Sequence, residues 1–333
     1  MNLSYTSAVF LVVLVSFLWG FWHQFVKKLG SWPLAAFMIW MYGIGTLIVW
    51  ALIGLFREVW VPEGILRVLR QAPDKALIAA LCGAGFSVGM MINLYVVSKM
   101  GLIFSTSVTS TAAIVLGTLL SSVLGGLPED ASMGQIYFGA LILLFASYLC
   151  QAASRAKDKH KGSSAEEAAK TSAKFLTILI VYLLLFSQSY TVGMSLSVRT
   201  ELRPNGLPGP VAVGMLALGA TVAIVLICLV MLIKSGQISM LLHPQDKRCI
   251  LYAAIGGFCC LGGDLIHNIA SPILSVAIAF PLAQLSGVWQ YFWGIVGGEF
   301  RGCGNRAKGL LTGGILCYIL GVIWISLSRS GII

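Results

Sequence analysis

The sequence predicts an all-α polytopic membrane protein with ten transmembrane helices arranged as a five-plus-five inverted repeat. Of the 333 residues, 58% are hydrophobic and only 10% are charged, and the mean hydropathy is +0.91. A soluble domain carries about 25% charged residues. Apolar runs of about 20 residues, the length that crosses a hydrocarbon core, recur along the whole chain. A polar connector near the middle leaves five such runs on each side.

The ten predicted spans follow these apolar runs in order, and short polar or basic segments separate them. They cover residues 5–26, 33–56, 76–97, 102–124, 134–153, 174–196, 211–233, 249–270, 273–296 and 308–328. The first run lacks a basic n-region and a small-residue cleavage site, so we expect a span and not a cleaved signal peptide. Almost no chain remains for a soluble domain, and any function must therefore lie within the bundle.

The basic residues predict the orientation of the bundle. Most of the 22 Lys and Arg residues fall in loops that follow odd-numbered spans. The positive-inside rule then places these loops in the cytoplasm and both termini outside, in a multi-pass protein of the cell's inner or plasma membrane. The basic loop 57–75 argues for the opposite orientation. Because the net charge of +10 is spread over many loops, it indicates neither a nucleic acid nor an acidic substrate.

The connector divides the chain into three parts. We predict a first five-helix repeat at 1–153, a cytoplasmic linker at 154–173 and a second five-helix repeat at 174–333. An odd number of spans in each repeat inverts the second one in the membrane, as in inverted-repeat transporters.

A sequence echo supports this division. The stretch "AALCGAGFSVGMMIN" (79–93) aligns with "AAIGGFCCLGGDLIH" (253–267) at a constant offset of 174. The third and eighth spans are therefore predicted counterparts, and the alignment pairs Gly83 with Gly257, Gly89 with Gly263 and Asn93 with His267.

The first span ends in polar and aromatic side chains, "LWGFWHQF" (18–25). Trp19, Trp22 and His23 are spaced so that they share one helix face, and Gln24 is adjacent. Indole rings on a cavity wall offer flat surfaces to sugars or heterocycles, so we predict that these four residues bind a solute. The alternative is an aromatic belt at the membrane edge, because Lys27 and Lys28 follow closely.

Amide side chains within the spans are further candidates. Asn93, Gln188, Asn268 and Gln284 all fall inside predicted spans. A buried amide must find hydrogen-bond partners, which are either another helix or a solute. We predict solute contact for all four, with interhelical bonding as the alternative.

The segment "GGDLIHNIASP" (262–272) places ionisable residues in a very apolar span. Asp264, His267 and Asn268 are spaced i, i+3 and i+4, so they share one face. Ionisable residues in a span are expensive and usually face a cavity. We predict that Asp264 and His267 exchange a proton and couple solute movement to a proton gradient. The alternative is a structural hydrogen bond between helices.

Other site chemistries are not favoured. Cys259 and Cys260 lie near His267, but no CxxC or HxxxH spacing supports a metal, and no cofactor motif occurs. No nucleophile motif accompanies Asp264 and His267, so we expect no enzyme. Glu299, beside Arg301, is interpreted as an interfacial structural acid.

Three stretches resemble the drug/metabolite transporter superfamily, and most closely its sugar and ureide branch, which includes rhamnose–proton symporters, glucose/ribose uptake proteins and ureide permeases. They are "FVKKLGSWPLAAF" (25–37), "GAGFSVGMMINLYVVSKMGLIFSTSVTSTAAIVLGTLL" (83–120) and "FPLAQLSGVWQYFWGIVGGEFRG" (280–302). The resemblance implies uptake of a small neutral polar solute, often with protons. One departure is Asp264, where the ureide-permease type carries an uncharged polar residue.

These observations predict a secondary active transporter that imports a small neutral polar solute, such as a sugar or a ureide, with protons and by alternating access. The rival interpretation is a metabolite or drug exporter of the same fold, for which Asp264 would be the counter-ion of a cation. An intramembrane enzyme and a sensor without flux are less favoured. The expected partners are the solute, protons and the lipid bilayer, with a homo-oligomer possible and no nucleic acid.

Overall fold

The computed structural model describes most of the chain, namely residues 4–125, 133–160, 173–175, 177–178, 181–182, 186, 188–200, 204–244, 246–274 and 276–327. Within these ranges no β-strand occurs, and the only β-type pairing is an isolated bridge between Val198 and Leu207. Seven helices of the described part are long and apolar enough to cross a membrane. The chain is therefore an all-α membrane protein.

The α-helices of the described residues are numbered here in chain order. They are α1 Tyr5–Phe21, α2 Leu34–Leu55, α3 Arg57–Trp60, α4 Ile65–Gln71, α5 Pro73–Met100, α6 Leu102–Gly125, α7 Met133–His160, α8 Ser189–Ser197, α9 Gly209–Lys234, α10 Arg248–Gly257, α11 Gly263–Leu274, α12 Val276–Ala283, α13 Ser286–Val296 and α14 Asn305–Leu327. Helix α1 continues as a 3-10 segment, Trp22–Lys28, and a π-helical segment, Phe258–Gly262, joins α10 to α11.

Local sequence explains where the long helix α5 begins and ends. Pro73 stands at the first helical position, where its missing N–H costs nothing. Asp74 in the first turn and Lys99 in the last turn complement the helix dipole. The helix ends at Gly101, whose φ of 96° is accessible to glycine without strain.

Two predicted spans differ from the structure in their backbone. The eighth span, 249–270, is α10 and α11 with the π-helical segment between them. The ninth span, 273–296, is not one helix, because α11 reaches Leu274 and α12 and α13 are separated by a turn at Gln284 and Leu285. Hydropathy reports the length of an apolar run and not its backbone geometry, so it does not locate either irregularity.

The connections also differ from the sequence-based boundaries. Helix α7 continues to His160 and so takes up the start of the predicted linker, in keeping with the helix-forming Ala, Lys and Arg residues there. The rest of that linker, 161–172, lies outside the described residues. The predicted span 174–196 is described only in part, with α8 at its end. The loop 57–75 contains α3 and α4.

The long helices pack in a defined set of neighbours. Helix α2 packs against α9 and α10, and α5 packs against α9 and α8. Helix α1 packs against α11, α12 and α13, and α6 packs against α7, α12, α13 and α8. Helices α7 and α14 form an extensive antiparallel pair. The packing divides the buried apolar side chains into one cluster around α2, α5, α9 and α10 and a second around α1, α7, α13 and α14.

An ion pair marks each end of the bundle. At one end, Glu299 pairs with Lys27 and accepts backbone hydrogen bonds from Leu102 (2.9 Å) and Ile103 (3.2 Å) at the start of α6. We call this end the Glu299 face; the acid there is structural, as the sequence predicts. At the other end, the Glu63 face, Arg199 donates from Nη1 to Glu63 Oε1 at 2.9 Å. Each ion pair joins segments that are distant in the chain.

Candidate functional site

A buried cavity of about 120 Å³ lies between the helices, and side chains from both halves of the chain line it. Its lining combines aromatic rings, hydroxyl and amide groups, and one carboxyl group. These residues are Trp19, Trp22, His23, Phe86, Met90, Asn93, Thr109, Ala113, Tyr182, Tyr190, Cys260, Asp264, Phe280, Gln284, Ser286 and Gln290. Such a mixture of apolar walls and a few polar groups is typical of a small-molecule site.

Three helical segments depart from α-helical geometry where they border this cavity. The 3-10 segment begins at Trp22, the π-helical segment contains Cys260, and the turn between α12 and α13 contains Gln284. π-Helical turns occur frequently at functional sites. Within a membrane, irregular backbone is tolerated only where it is buried in protein or lines a cavity. The three irregularities therefore identify the cavity as a place where the fold departs from simple helix packing.

Asp264 supplies the only carboxyl group among the described lining residues. Its residue exposure is 1%, and its Oδ2 atom has no hydrogen-bond partner among the described residues. The Trp19 indole lies beside the preceding residue, Gly263, where a Cβ atom would be 2.7 Å from Trp19 Nε1. None of the described residues that line the cavity is Lys or Arg. An unpaired charge in such surroundings is costly, so this carboxyl group is suited to holding a proton or to pairing with a cation.

A hydrogen-bond network lies behind the cavity wall. Asn268 Nδ2 donates to Tyr190 Oη at 2.8 Å and to the Asp264 carbonyl oxygen at 2.9 Å. The Tyr190 hydroxyl also shares a hydrogen bond with His267 Nδ1, 3.0 Å away. Ser271 Oγ donates to the His267 carbonyl oxygen at 2.8 Å. The tautomer of His267 decides whether Tyr190 Oη or His267 Nδ1 donates in their hydrogen bond.

The structure brings the predicted proton pair onto one buried helix face without joining the two side chains. Asp264 lines the cavity, whereas His267 and Asn268 do not. No hydrogen bond links the Asp264 carboxyl to the His267 imidazole among the described residues. His267 instead bonds Tyr190, a residue of α8 that the sequence-based candidates do not include.

The span-1 candidates divide in the same way. Trp19, Trp22 and His23 line the cavity, whereas Gln24 is half-buried outside it. Trp22 is 1% exposed and stacks on His23 at a ring-centroid distance of 4.0 Å. His23 Nδ1 lies 2.8 Å from the Trp19 carbonyl oxygen. Burial of Trp22 and His23 inside the protein excludes a lipid-facing aromatic belt for these two side chains.

The amide candidates are held by neighbouring helices to different degrees. Asn93 lines the cavity and accepts a 2.5 Å hydrogen bond from Ser105. Gln284 lines the cavity from the turn between α12 and α13. Its backbone carbonyl oxygen accepts a hydrogen bond from the Tyr318 hydroxyl at 2.6 Å. Gln188 precedes α8 and lies outside the lining. Gln290, in contrast, lines the cavity and accepts from Thr106.

Comparison with known proteins assigns no family. No protein-family model matches this chain, and no curated protein matches it significantly. The described residues contain no group of three or more His, Cys, Asp and Glu side chains that would hold a metal ion. The function therefore has to be argued from the cavity itself.

Several lining residues were missed from the sequence. Tyr190, Tyr182, Phe86 and Phe280 contribute aromatic rings to the wall. Tyr190 makes an edge contact with Trp19 at 5.7 Å between ring centroids and has its hydroxyl in the network above. The sequence offers one indication of Phe86, because Phe86 is the counterpart of the cavity residue Cys260 at the offset of 174. For the other three, an aromatic residue in an apolar span is unremarkable until its neighbours are known.

Proposed function

We propose that this chain is a secondary active transporter that imports a small neutral polar solute, such as a sugar or a ureide, with protons and by alternating access. The observation that carries the proposal is the buried Asp264 carboxyl group, whose Oδ2 atom has no hydrogen-bond partner among the described residues, in a cavity where three helical segments are irregular. Transporter sites are typically formed by discontinuous helices at the interface between two repeats.

We also propose that the fold is the five-plus-five inverted repeat of ten transmembrane helices. At the offset of 174, α2 corresponds to α9, α5 to α10 and α11, and α7 to α14. The packing follows this correspondence. Helix α2 packs on α10, and their counterparts α9 and α5 also pack on each other. Helix α1, whose counterpart is α8, packs on α11, and α8 likewise packs on α5. In the α2–α9 pair and in the α7–α14 pair, the two helices are counterparts of each other, so each pair corresponds to itself. Matched contacts of this kind are what a two-fold axis in the membrane plane produces.

Glycines at two helix crossings support the same correspondence. A Cβ atom on Gly45 in α2 would lie 2.8 Å from the carbonyl oxygen of Gly257 in α10. Their counterparts at the offset of 174 are Gly219 in α9 and Gly83 in α5. A Cβ atom on Gly219 would collide with the backbone of Ala80 in α5. Small residues thus bring backbones together at equivalent places in both halves.

The proposed solute site combines the aromatic rings and the amide groups of the cavity lining. Trp19 and Trp22 offer ring faces to the C–H groups of a sugar or a heterocycle, and Asn93 and Gln284 offer amide groups to its polar substituents. Asn268, Gln188 and His267 would act from behind the wall. The small volume favours a solute of few heavy atoms, or a closed state that excludes water.

Asp264 is the proposed proton carrier. When the cavity opens to water, its carboxyl group exchanges a proton with that side of the membrane. When the cavity closes, the neutral form is favoured, because burying an unpaired carboxylate costs several kcal/mol. His267 receives a different role, since its ring is hydrogen-bonded to Tyr190 and makes no hydrogen bond with the carboxyl group among the described residues. Under the positive-inside rule the Glu299 face is cytoplasmic, and protons and solute would move towards it.

Uptake into proteoliposomes tests the proposal. Radiolabelled sugars, ureides, nucleosides and amino acids are offered with and without an inward proton gradient. We expect one class to accumulate only with the gradient in the wild type and in the control Asp74→Asn, which alters an exposed acid at the start of α5. Asp264→Asn is expected to abolish that dependence. Wild-type rates and an unchanged proton dependence in Asp264→Asn would overturn the coupling role, and no flux for any class would overturn the import of such solutes.

A second candidate function is export of an organic cation in exchange for protons. The observation that favours it is the absence of Lys and Arg from the described lining around Asp264, together with the aromatic faces of Trp19 and Tyr190. Aromatic faces attract cations. The two functions differ in binding: Asp264→Asn should abolish binding of a cation, whereas a neutral solute should still bind to that variant. A thermal-shift titration with both ligand classes separates them.

A further inference from the structure

A second cavity lies at the edge of the bundle, on the Glu299 face. It is a groove of about 640 Å³ between the end of α7 and the start of α14. Its principal polar residues are Gln151, Arg155 and Arg306, and Tyr148 and Leu310 extend it towards the membrane interior. The groove is remote from the central cavity, with which it shares no lining residue.

The described lining of the groove is positively charged. Arg155 and Arg306 are both exposed, and neither has a carboxylate partner among the described residues. No Asp or Glu is among the described lining residues, and the first turn of α14 contains no acid. Guanidinium groups bind phosphate oxygens in a planar, bidentate geometry. An anion with several oxygen atoms is the chemistry that this arrangement favours.

The position of the groove selects the kind of phosphate. Arg155 lies two residues before the end of the apolar stretch Gly134–Lys157, and Arg306 lies at the start of the apolar stretch Asn305–Ile325. We therefore expect both side chains near the membrane boundary. Tyr148, almost two turns before Arg155, is 63% exposed on the lipid-facing side. A tyrosine at this depth is typical of the membrane interface. A ligand that fills the whole groove therefore has a phosphate at one end and an acyl chain at the other.

A cation–π contact lies beside the groove. Lys157, further along α7, lies over the ring of Phe300 at 5.4 Å from its centroid. This contact ties the end of α7 to the connection that precedes α14. It also adds a third cation near the groove, in the part of the chain where the sequence predicts cytoplasmic, positively charged loops.

We propose that the groove between α7 and α14 binds the phosphate headgroup of an anionic phospholipid, with Arg155 and Arg306 on the phosphate and the acyl chain along Tyr148 and Leu310. Bound lipid would bridge the antiparallel α7–α14 pair, in which each helix is the proposed repeat counterpart of the other. Because the site lies away from the central cavity, the proposal does not depend on what the protein transports.

Purified full-length protein in a mild detergent tests the proposal. Thermal unfolding and native mass spectrometry are measured with added phosphatidylglycerol, with phosphatidylcholine and with inorganic phosphate. We expect phosphatidylglycerol to raise the unfolding temperature and to remain bound in the mass spectrum, and the other two to do neither. Arg155→Gln combined with Arg306→Gln should lose at least tenfold in lipid affinity.

A charge-matched control separates the groove from general electrostatics. Arg57→Gln combined with Arg70→Gln removes two exposed basic residues from the connection between α2 and α5, on the Glu63 face. This variant should bind phosphatidylglycerol as the wild type does. Equal loss in both double variants, or retained binding in the groove variant, would overturn the proposal. An equal response to inorganic phosphate would overturn the lipid proposal and assign the groove to a free anion. If the double variant does not fold, the single variant Arg306→Gln repeats the test.

Discussion

Gly45→Ala is the perturbation whose effect on the fold can be worked out most fully from the structure. Gly45 lies where α2 crosses α10, and a Cβ atom there would lie 2.8 Å from the carbonyl oxygen and 3.0 Å from the Cα of Gly257. These atoms belong to a helix backbone, so they cannot rotate away as a side chain can. Gly43, two residues earlier in the same helix, has nothing within 4 Å of its own Cβ position.

The two variants should therefore differ in stability. Overpacking of a buried contact costs about 1–3 kcal/mol. Replacing glycine by alanine in a helix contributes up to about 1 kcal/mol in favour of the folded state. We expect Gly43→Ala to be neutral or stabilising and Gly45→Ala to be less stable than Gly43→Ala by about 1–3 kcal/mol, from these two ranges.

Thermal unfolding of both variants in the same detergent measures the difference. Gly219→Ala, at the α9–α5 crossing, should behave as Gly45→Ala does, because its Cβ atom would meet the backbone of Ala80. If Gly45→Ala were as stable as Gly43→Ala, the close α2–α10 crossing would be wrong. If Gly45→Ala were destabilised and Gly219→Ala were not, the equivalence of the two crossings would fail.

Three further predictions concern the ends of the bundle. Gly101→Ala should lower the unfolding temperature, in contrast to Gly54→Ala, because Gly101 has a φ of 96° and a Cβ atom there would lie 3.2 Å from Glu299 Oε2. Glu299→Gln loses the ion pair with Lys27 of the 3-10 segment, so the Cys260 thiol in the central cavity should be labelled faster from the Glu299 face. An unchanged labelling rate would show that this ion pair does not close the cavity. The hydrogen bond from Arg199 lowers the pKa of Glu63 below its usual value. That ion pair therefore stabilises at neutral pH and is lost as the pH falls through the lowered pKa, so any stability gap between the wild type and Glu63→Gln should close below about pH 4 in a pH series of unfolding temperatures.

Much of the fold follows from the sequence, because long apolar runs have few alternatives to membrane helices. The glycine echo also identified residues that lie at helix crossings, since Gly83 and Gly257 both meet a neighbouring backbone. The irregular segments could not be predicted in this way. A 3-10 segment at Trp22 or a π-helical segment at Cys260 depends on how the helices pack, and the hydropathy of the run is the same with or without it.

The candidate site shows the same division. The i, i+3 spacing correctly places Asp264 and His267 on one buried face of α11. It does not reveal that His267 bonds Tyr190, from a distant part of the chain, and makes no hydrogen bond with the Asp264 carboxyl group among the described residues. Gln24 directly follows the cavity residue His23 in sequence, but it lies outside the lining.

The most direct test of the central claim is the accessibility of the native thiol of Cys260, which lines the cavity and is 2% exposed. In a variant that retains Cys260 and replaces the other seven cysteines by alanine, a membrane-impermeant thiol reagent is added to sealed vesicles of each orientation. Alternating access around this cavity predicts that Cys260 is labelled from both faces. A proton gradient should raise the labelling rate from one face and lower it from the other. Asp264→Asn should abolish that reciprocal change. Labelling from neither face, or from one face only whatever the gradient, would contradict it.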